Sequence, residues 1–359
     1  MANAGKTALI VGSTGIVGNS LAQQLVNGGW EVIGLARRPF NDVQGAATRA
    51  VDLLDRDHVR RALADVRPSH VFYASWSRQT TEAENIRVNG AMIRSVLDGL
   101  KGKGSVRHVA LVTGLKHYIG PFEMYGKVPP PPTPFRESLP RLDLANFYYV
   151  QEDELFAAAQ REGFSWSVHR PHTLIGYANS NVMNMGTTLA AYATFARETG
   201  RPFAFPGNAT QWNGLTDVTD SRLLAKHLEW AATTKAAQNQ ALHVVNGDVF
   251  RWSWMWGRIA QWLGIEPAPF NGEGTPLVQQ MADAAPIWAD IAKRRGLVES
   301  DLSRIASFWH TDGDLRRPFE CVTDMSKSRE LGFLDYQSSD KAFFDLFAGL
   351  RERGVIPHS

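Results

Sequence analysis

The chain has 359 residues, 44% of them hydrophobic and 21% charged, with a formal net charge of +2. That is the composition of a globular protein of one large or two ordinary domains, long enough to bury a substantial core. The near-neutral balance and the absence of a dense basic run leave no electrostatic footprint for nucleic acid, and no apolar run is long enough to span a bilayer. Cys321 is the single cysteine, so no intrachain disulfide is expected and a reducing, cytoplasmic setting fits.

Thr7-Ala-Leu-Ile-Val-Gly12 reads as a buried first strand rather than a signal peptide. It runs straight into Gly12-Ser-Thr-Gly15-Ile-Val-Gly18, and Asn19 to Asn27 reads as a helix. Glycines at this spacing let the chain turn sharply, approach a pyrophosphate and pack helix on strand, while the helix N-terminus offers free N–H groups. Strand, glycine turn and helix in this order predict a nucleotide-cofactor site at Gly12, Thr14, Gly15 and Ile16. A second strand, Trp30 to Ala36, ends at Arg37-Arg38-Pro39, beside the adenosine ribose in such a fold. An acid there favours NAD, whereas arginine accommodates a 2′-phosphate. With two arginines and no acid before Asp42, NADPH is the expected cofactor. Asp52-Leu53 follows a short apolar step. Its carboxylate would accept from the adenine amine, or it simply starts the helix Asp55 to Val66.

The alternation continues with a strand His70 to Ala74, a helix Glu82 to Leu100 and a strand Arg107 to Thr113. It predicts βαβ units and an α/β, Rossmann-type, doubly wound parallel sheet. Ser75, just past the third strand, is placed over the pyrophosphate. Gly120 to Leu139 is a proline-rich loop of the length that usually carries function. A helix Leu144 to Glu162 and a strand Ser165 to His169 follow. After Ile175 the pattern loosens into short strands (Phe203 to Phe205, Leu242 to Asn246), helices and many tryptophans. The expected division is a dinucleotide-binding domain over 1–175, with 215–250 returning to it, and a smaller, mostly helical, interleaved substrate lobe over 176–359. Trp252, Trp254 and Trp256 are expected to pack that lobe. His169 and Arg170 are expected to be structural, and no His/Cys/Asp/Glu group has metal-ligand spacing.

A short-chain dehydrogenase would carry Tyr-x-x-x-Lys on one helix. None of the eight tyrosines has a lysine four residues on; Glu152 follows Tyr148 and Asp153 follows Tyr149. A lysine is nevertheless available in Thr113-Gly-Leu-Lys116-His-Tyr118, just past the carboxyl end of a predicted central strand, where ligands bind in open α/β sheets. Successive helix residues point about 100° apart, so only one of Tyr148 and Tyr149 can face a cofactor well.

Four segments, Thr113-Gly-Leu-Lys116-His-Tyr-Ile-Gly-Pro121-Phe122-Glu123, Asn146-Phe-Tyr148-Tyr-Val-Gln-Glu152-Asp153, Ser167-Val-His-Arg-Pro171 and Val245-Asn-Gly-Asp248-Val-Phe250, together resemble the progesterone 5β-reductase/iridoid synthase-like enzymes. These are atypical extended short-chain dehydrogenases/reductases, and the resemblance runs from the glycine turn to about Tyr336. It implies NADPH-dependent reduction of the C=C bond of α,β-unsaturated carbonyls. It implies Tyr148 and Lys116 as the catalytic pair, the lysine of the Thr-Gly-x-Lys-His-Tyr motif replacing the usual helix lysine. Hydride would add to the β-carbon while the phenol stabilises the developing enolate. A nearby ammonium would favour the charged form of the phenol. Thr113 with Lys116, and Pro171, Leu174 and Ile175, are expected along the cofactor. Trp76 and Phe122 are expected on the substrate, although Phe122 reads equally well as a loop anchor. His310, in Ala306-Ser-Phe308-Trp309-His310, stands where the family carries pocket aromatics. The partner is thus a small-molecule enone, with a homodimer left open. A sugar-nucleotide epimerase or carbonyl reductase on the same fold, and a non-catalytic NADP-binding regulator, are the alternatives.

Overall fold

The structure, a computed structural model, describes residues 5–39, 43–178 and 181–358; Asp42 lies outside them. Seven parallel strands form the main sheet: β1 (Thr7–Val11), β2 (Glu31–Ala36), β3 (Ala46–Ala50), β4 (His70–Tyr73), β5 (His108–Val112), β6 (Ser165–Pro171) and, much later, β9 (Gln240–Val244). Their order is β3-β2-β1-β4-β5-β6-β9. The order reverses between β1 and β4, and the crevice above that switch point is where such a sheet binds its ligand.

The inner strands read as continuous apolar runs because both sheet faces are covered. Leu9 and Val11 pack under α2 (Arg56–Ala62), α3 (Glu82–Leu100) and α5 (Phe147–Glu162). Ala8 and Ile10 face α1 (Ile16–Asn27) and α8 (Ser221–Thr233). Leu21 and Leu25 of α1 are fully buried, each worth about 1.5–3 kcal/mol relative to exposure. Between α3 and α5 the chain forms the short α4 (Lys116–Ile119), and β6 is followed by the two-residue strand β7 (Leu174–Ile175) paired with β8 (Thr219–Asp220).

The helices α6 (Met185–Thr199), α7 (Ala209–Asn213), α9 (Trp252–Leu263), α10 (Leu277–Gln280), α11 (Ala284–Arg295), α12 (Phe308–Leu315) and α14 (Ser339–Glu352) surround a separate apolar core, while α13 (Ser326–Glu330) flanks β9. The strand expected at Leu242 to Asn246 is present as Gln240–Val244 and pairs with β6.

Several expectations are corrected. Ala46–Ala50 was not expected to be a strand; it is alanine-rich, half exposed and at the sheet edge, so it carries no strong apolar signal. Phe203 to Phe205 is not a strand. Phe203 makes one isolated bridge to Pro267, and Pro202 and Pro206 flank the segment and lack the N–H groups a ladder needs. The helix expected from Leu144 starts at Phe147, because Asn146 caps it through the Tyr148 N–H. The first helix starts earlier than Asn19, at Ile16. Trp252 and Trp256 are core, but Trp254 is half exposed. No helix among the described residues is long and apolar enough to cross a membrane.

Candidate active site

The glycine turn fits a dinucleotide. Gly12 has φ +90°, and a Cβ there would lie 2.8 Å from the Ala74 carbonyl oxygen; at Gly18 it would lie 2.1 Å from the Gly12 carbonyl oxygen. The turn is therefore closed to side chains at two points. Gly15 caps α1 with no side-chain hydrogen bond, which leaves the helix N-terminus to a ligand's anion. Ile16 is buried and meets Gly176, just beyond Leu174 and Ile175, so these residues and the glycine turn share one crevice. Thr14 lies within the turn, and Ser75 follows β4, its carbonyl accepting from Gln151 at 3.4 Å.

Arg37 and Arg38 are exposed at the end of β2. The Gly12 N–H donates to the Leu35 carbonyl at 2.9 Å, so the arginines lie beside the turn. The Val51 N–H donates to the Ala36 carbonyl, which brings Asp52 and Leu53 to the same edge. Asp52 accepts from the Leu54 N–H at 3.0 Å, and it is Asp55 that caps α2. Leu53 is buried.

Tyr148 and the turn that carries Lys116 meet at the carboxyl ends of β5 and β6. A methyl group added to Gly114 would lie 3.4 Å from the Tyr148 hydroxyl and 3.3 Å from the Pro171 carbonyl oxygen. Asn146 ties the two together: its Nδ2 donates to the Lys116 carbonyl at 2.7 Å, and its Oδ1 accepts from the Tyr148 N–H at 2.9 Å. Thr113 is buried beside them and bonded to the His169 carbonyl. Among the described residues the Tyr148 hydroxyl has no hydrogen-bond partner. Tyr149 differs. Its hydroxyl donates to the His117 carbonyl at 2.5 Å and accepts from the Leu142 N–H at 2.9 Å, so it is structural.

Burial and then Glu82 push the Tyr148 phenol well above its ordinary pKa. The expected lowering by Lys116 is not among the influences on it. The ammonium instead sits among aromatic faces, 4.2 Å from the Phe122 ring centre, 5.1 Å from Trp76 and 5.9 Å from Phe147. Burial, reinforced by Arg78, draws Lys116 down to about 8 against the pull of Glu82, Asp314 and Glu123.

Where a short-chain dehydrogenase has its lysine, four residues past the tyrosine, this chain has Glu152. It is buried and pairs with Arg170 at 3.1 Å and Arg141 at 2.9 Å, with His117 3.5 Å away. Burial alone would raise its pKa, but His117 and Arg170 override it and hold the carboxyl at about 2. Glu152 thus fastens α5 to β6 and to the turn carrying Lys116. His169 and Arg170 are buried and hydrogen-bonded within the protein, as structural residues should be.

The substrate side is aromatic. Trp76 stacks on Phe147 at 5.4 Å, Phe122 sits in a short 3-10 turn, and His310 on α12 packs 5.8 Å from Phe122. All three residues expected on the substrate come together with Lys116. Glu82, Arg78 and Asn146 complete the site and were not assigned roles from sequence. Only Asn146 had a local signal, an N-cap type before an amphipathic run. No metal-binding cluster occurs among the described residues.

The sequence model described as "NAD dependent epimerase/dehydratase family" matches residues 8–247. The chain belongs to that family, so it is an oxidoreductase of the extended short-chain class with a nicotinamide cofactor. It is 37% identical to an (S)-8-oxocitronellyl enol synthase of Camptotheca acuminata, over 98% of this chain and 93% of that one. It is 36% identical to a 3-oxo-Delta(4,5)-steroid 5-beta-reductase of Arabidopsis thaliana, with 98% of this chain and 93% of the relative covered. Within the extended class it is therefore a member of the progesterone 5β-reductase/iridoid synthase-like group. Among solved structures, the UDP-glucose 4-epimerase of Thermus thermophilus in complex with NAD shares the fold. Its TM-score is 0.67 at 17% identity, covering 96% of this chain and 99% of that one.

Proposed function

We propose that the protein reduces the C=C bond of α,β-unsaturated carbonyl compounds with NADPH. The observation that carries this reading is the Tyr148 hydroxyl, unpartnered among the described residues and kept protonated by burial, against Gly114 in the β5 turn that also carries Lys116. The relatives named as an enol synthase and a steroid 5β-reductase support the same chemistry. When bound, the cofactor supplies a hydride. The chain's own task is to hold the carbonyl oxygen. As the β-carbon takes hydride, charge gathers on that oxygen, and a neutral phenol donates to it most strongly in the enolate-like transition state. Lys116 adds positive charge and a donor for the cofactor ribose. Trp76, Phe122 and Phe147 keep water from both groups. Arg37 and Arg38 offer guanidinium groups to a 2′-phosphate.

Two measurements test this. With cofactor deuterated at the transferred position, NMR of the product from a cyclic enone should place the label on the β-carbon. Label on a carbinol carbon would mean carbonyl reduction instead. Replacing both arginines, Arg37→Ala with Arg38→Ala, should lower the NADPH-over-NADH preference in kcat/KM by about tenfold or more; an unchanged preference would refute the phosphate assignment.

A further inference from the structure

We propose that the outer end of the substrate cleft receives a carboxylate carried by the substrate away from its double bond, and that Arg78 and His310 bind it. This rests on the enone reading of the inner end. The cleft has a volume of about 370 Å³ and is lined by Arg78, Phe122, Tyr125, Trp309, Asp312 and Arg316. Arg316 is engaged with Glu273 and with the carbonyls of Pro206 and Gly274, and Asp312 accepts from the N–H groups of Leu277 and Val278.

Arg78 is different. Its guanidinium lies over Trp309, 4.1 Å from the ring centre, with Phe122 at 5.7 Å. Among the described residues it donates no hydrogen bond, and Glu123 stands off at 3.6 Å with a half-exposed side chain free to swing into solvent. An aromatic support of this kind holds the plane of a guanidinium while leaving its N–H edge for a planar anion.

His310 provides the second observation. Its ring packs 5.7 Å from Trp309 and 5.8 Å from Phe122, and its buried Nδ1 has no partner among the described residues. A buried polar atom left unpaired is destabilising, and a ligand oxygen would relieve it. The nearby carboxylates are otherwise occupied: Glu82 accepts from the Phe147 N–H at 2.7 Å, and Asp314 accepts from Thr173 at 3.2 Å. The Arg78 edge therefore lines this cleft, and His310 packs on two of its lining rings, Phe122 and Trp309; the Phe122 ring also lies 4.2 Å from the Lys116 ammonium.

The test compares a cyclohexenone bearing a ring carboxylate with the methyl ester of the same compound. The wild-type enzyme should favour the carboxylate in kcat/KM by about tenfold or more. The ratio should collapse towards one in Arg78→Met and fall in His310→Phe. KM for the carboxylate, but not for the ester, should rise with ionic strength in the unmutated enzyme, a check that needs no variant to fold. Equal use of both compounds, or an equal loss on both in Arg78→Met, overturns the inference and leaves the enone reading standing. Failure to reduce either compound across its double bond removes both.

Discussion

Tyr148 and Tyr149 are adjacent and chemically identical, yet their surroundings give them opposite work. Tyr149 has both hydrogen bonds of its hydroxyl satisfied by backbone, whereas Tyr148 points its hydroxyl over Gly114. Tyr148→Phe should lower kcat for a cyclic enone by on the order of 10²–10³ and leave cofactor Kd nearly unchanged. Tyr149→Phe should lower Tm instead, losing one buried and one partly buried hydrogen bond worth about 1 kcal/mol each. Calorimetry and steady-state kinetics on both variants check this; a reversed pattern would exchange the two roles. Lys116 adds a pH signature. A lysine is charged below its pKa, so kcat should hold at neutral pH and fall as pH rises through about 8. A pH profile that is flat to well above that value would show that the ammonium takes no part. The motif around Lys116 was legible in sequence because it follows a strand end. The sign of the Tyr148 shift was not, because burial and Glu82 reach the phenol only through the fold.

Among the elements, α5 is the one that turns sequence into site. Its start is fixed by Asn146, which also grips the Lys116 carbonyl, and its second turn is fixed by Glu152 against Arg170 and Arg141. Glu152→Gln leaves the buried Arg170 guanidinium without its charge partner, whereas Arg141, partly exposed, keeps Asp153 at 2.8 Å; breaking a buried pair costs about 3–5 kcal/mol. The expected outcome is a lower Tm together with a lower kcat, because α4 and α5 then keep Asn146 but lose the tie through Glu152 and His117. An unchanged kcat in folded protein would limit Glu152 to stability alone. From sequence, Glu152 registered only as the missing lysine; its partners lie 18 residues ahead on β6 and 11 behind in the loop. Helix α3 was legible end to end, since Thr81 caps it and its apolar stripe is regular. The edge strand β3 was not, for want of apolar residues.

At the scale of the whole molecule, the sheet was legible because strands covered on both faces read as apolar runs joined by helices. The helical part was less so, since its helices pack on one another and the tryptophan spacing of α9 suggests strand alternation locally. A buried chain of imidazoles links the sheet to α8: His108 bonds to Ser167, Ser167 to His169 at 2.8 Å, and His169 to His227 at 2.9 Å. Burial lowers all three, His108 and His227 to about 3. Their folded pKa values lie below the unfolded value of about 6.5. As pH falls through that value the unfolded chain gains protons that the folded chain refuses, so stability drops by up to about 2 kcal/mol per histidine by pH 5. Thermal melts should show Tm falling steadily from neutral pH to that point. An acid-insensitive Tm would contradict the neutral imidazole chain.

The central claim is the position of reduction. The most direct measurement is oxidation of NADPH by the enzyme with 2-cyclohexen-1-one, with the product identified by gas chromatography. The geometry at Tyr148 and Lys116 predicts cyclohexanone. An allylic alcohol, or cofactor binding without turnover, would contradict it.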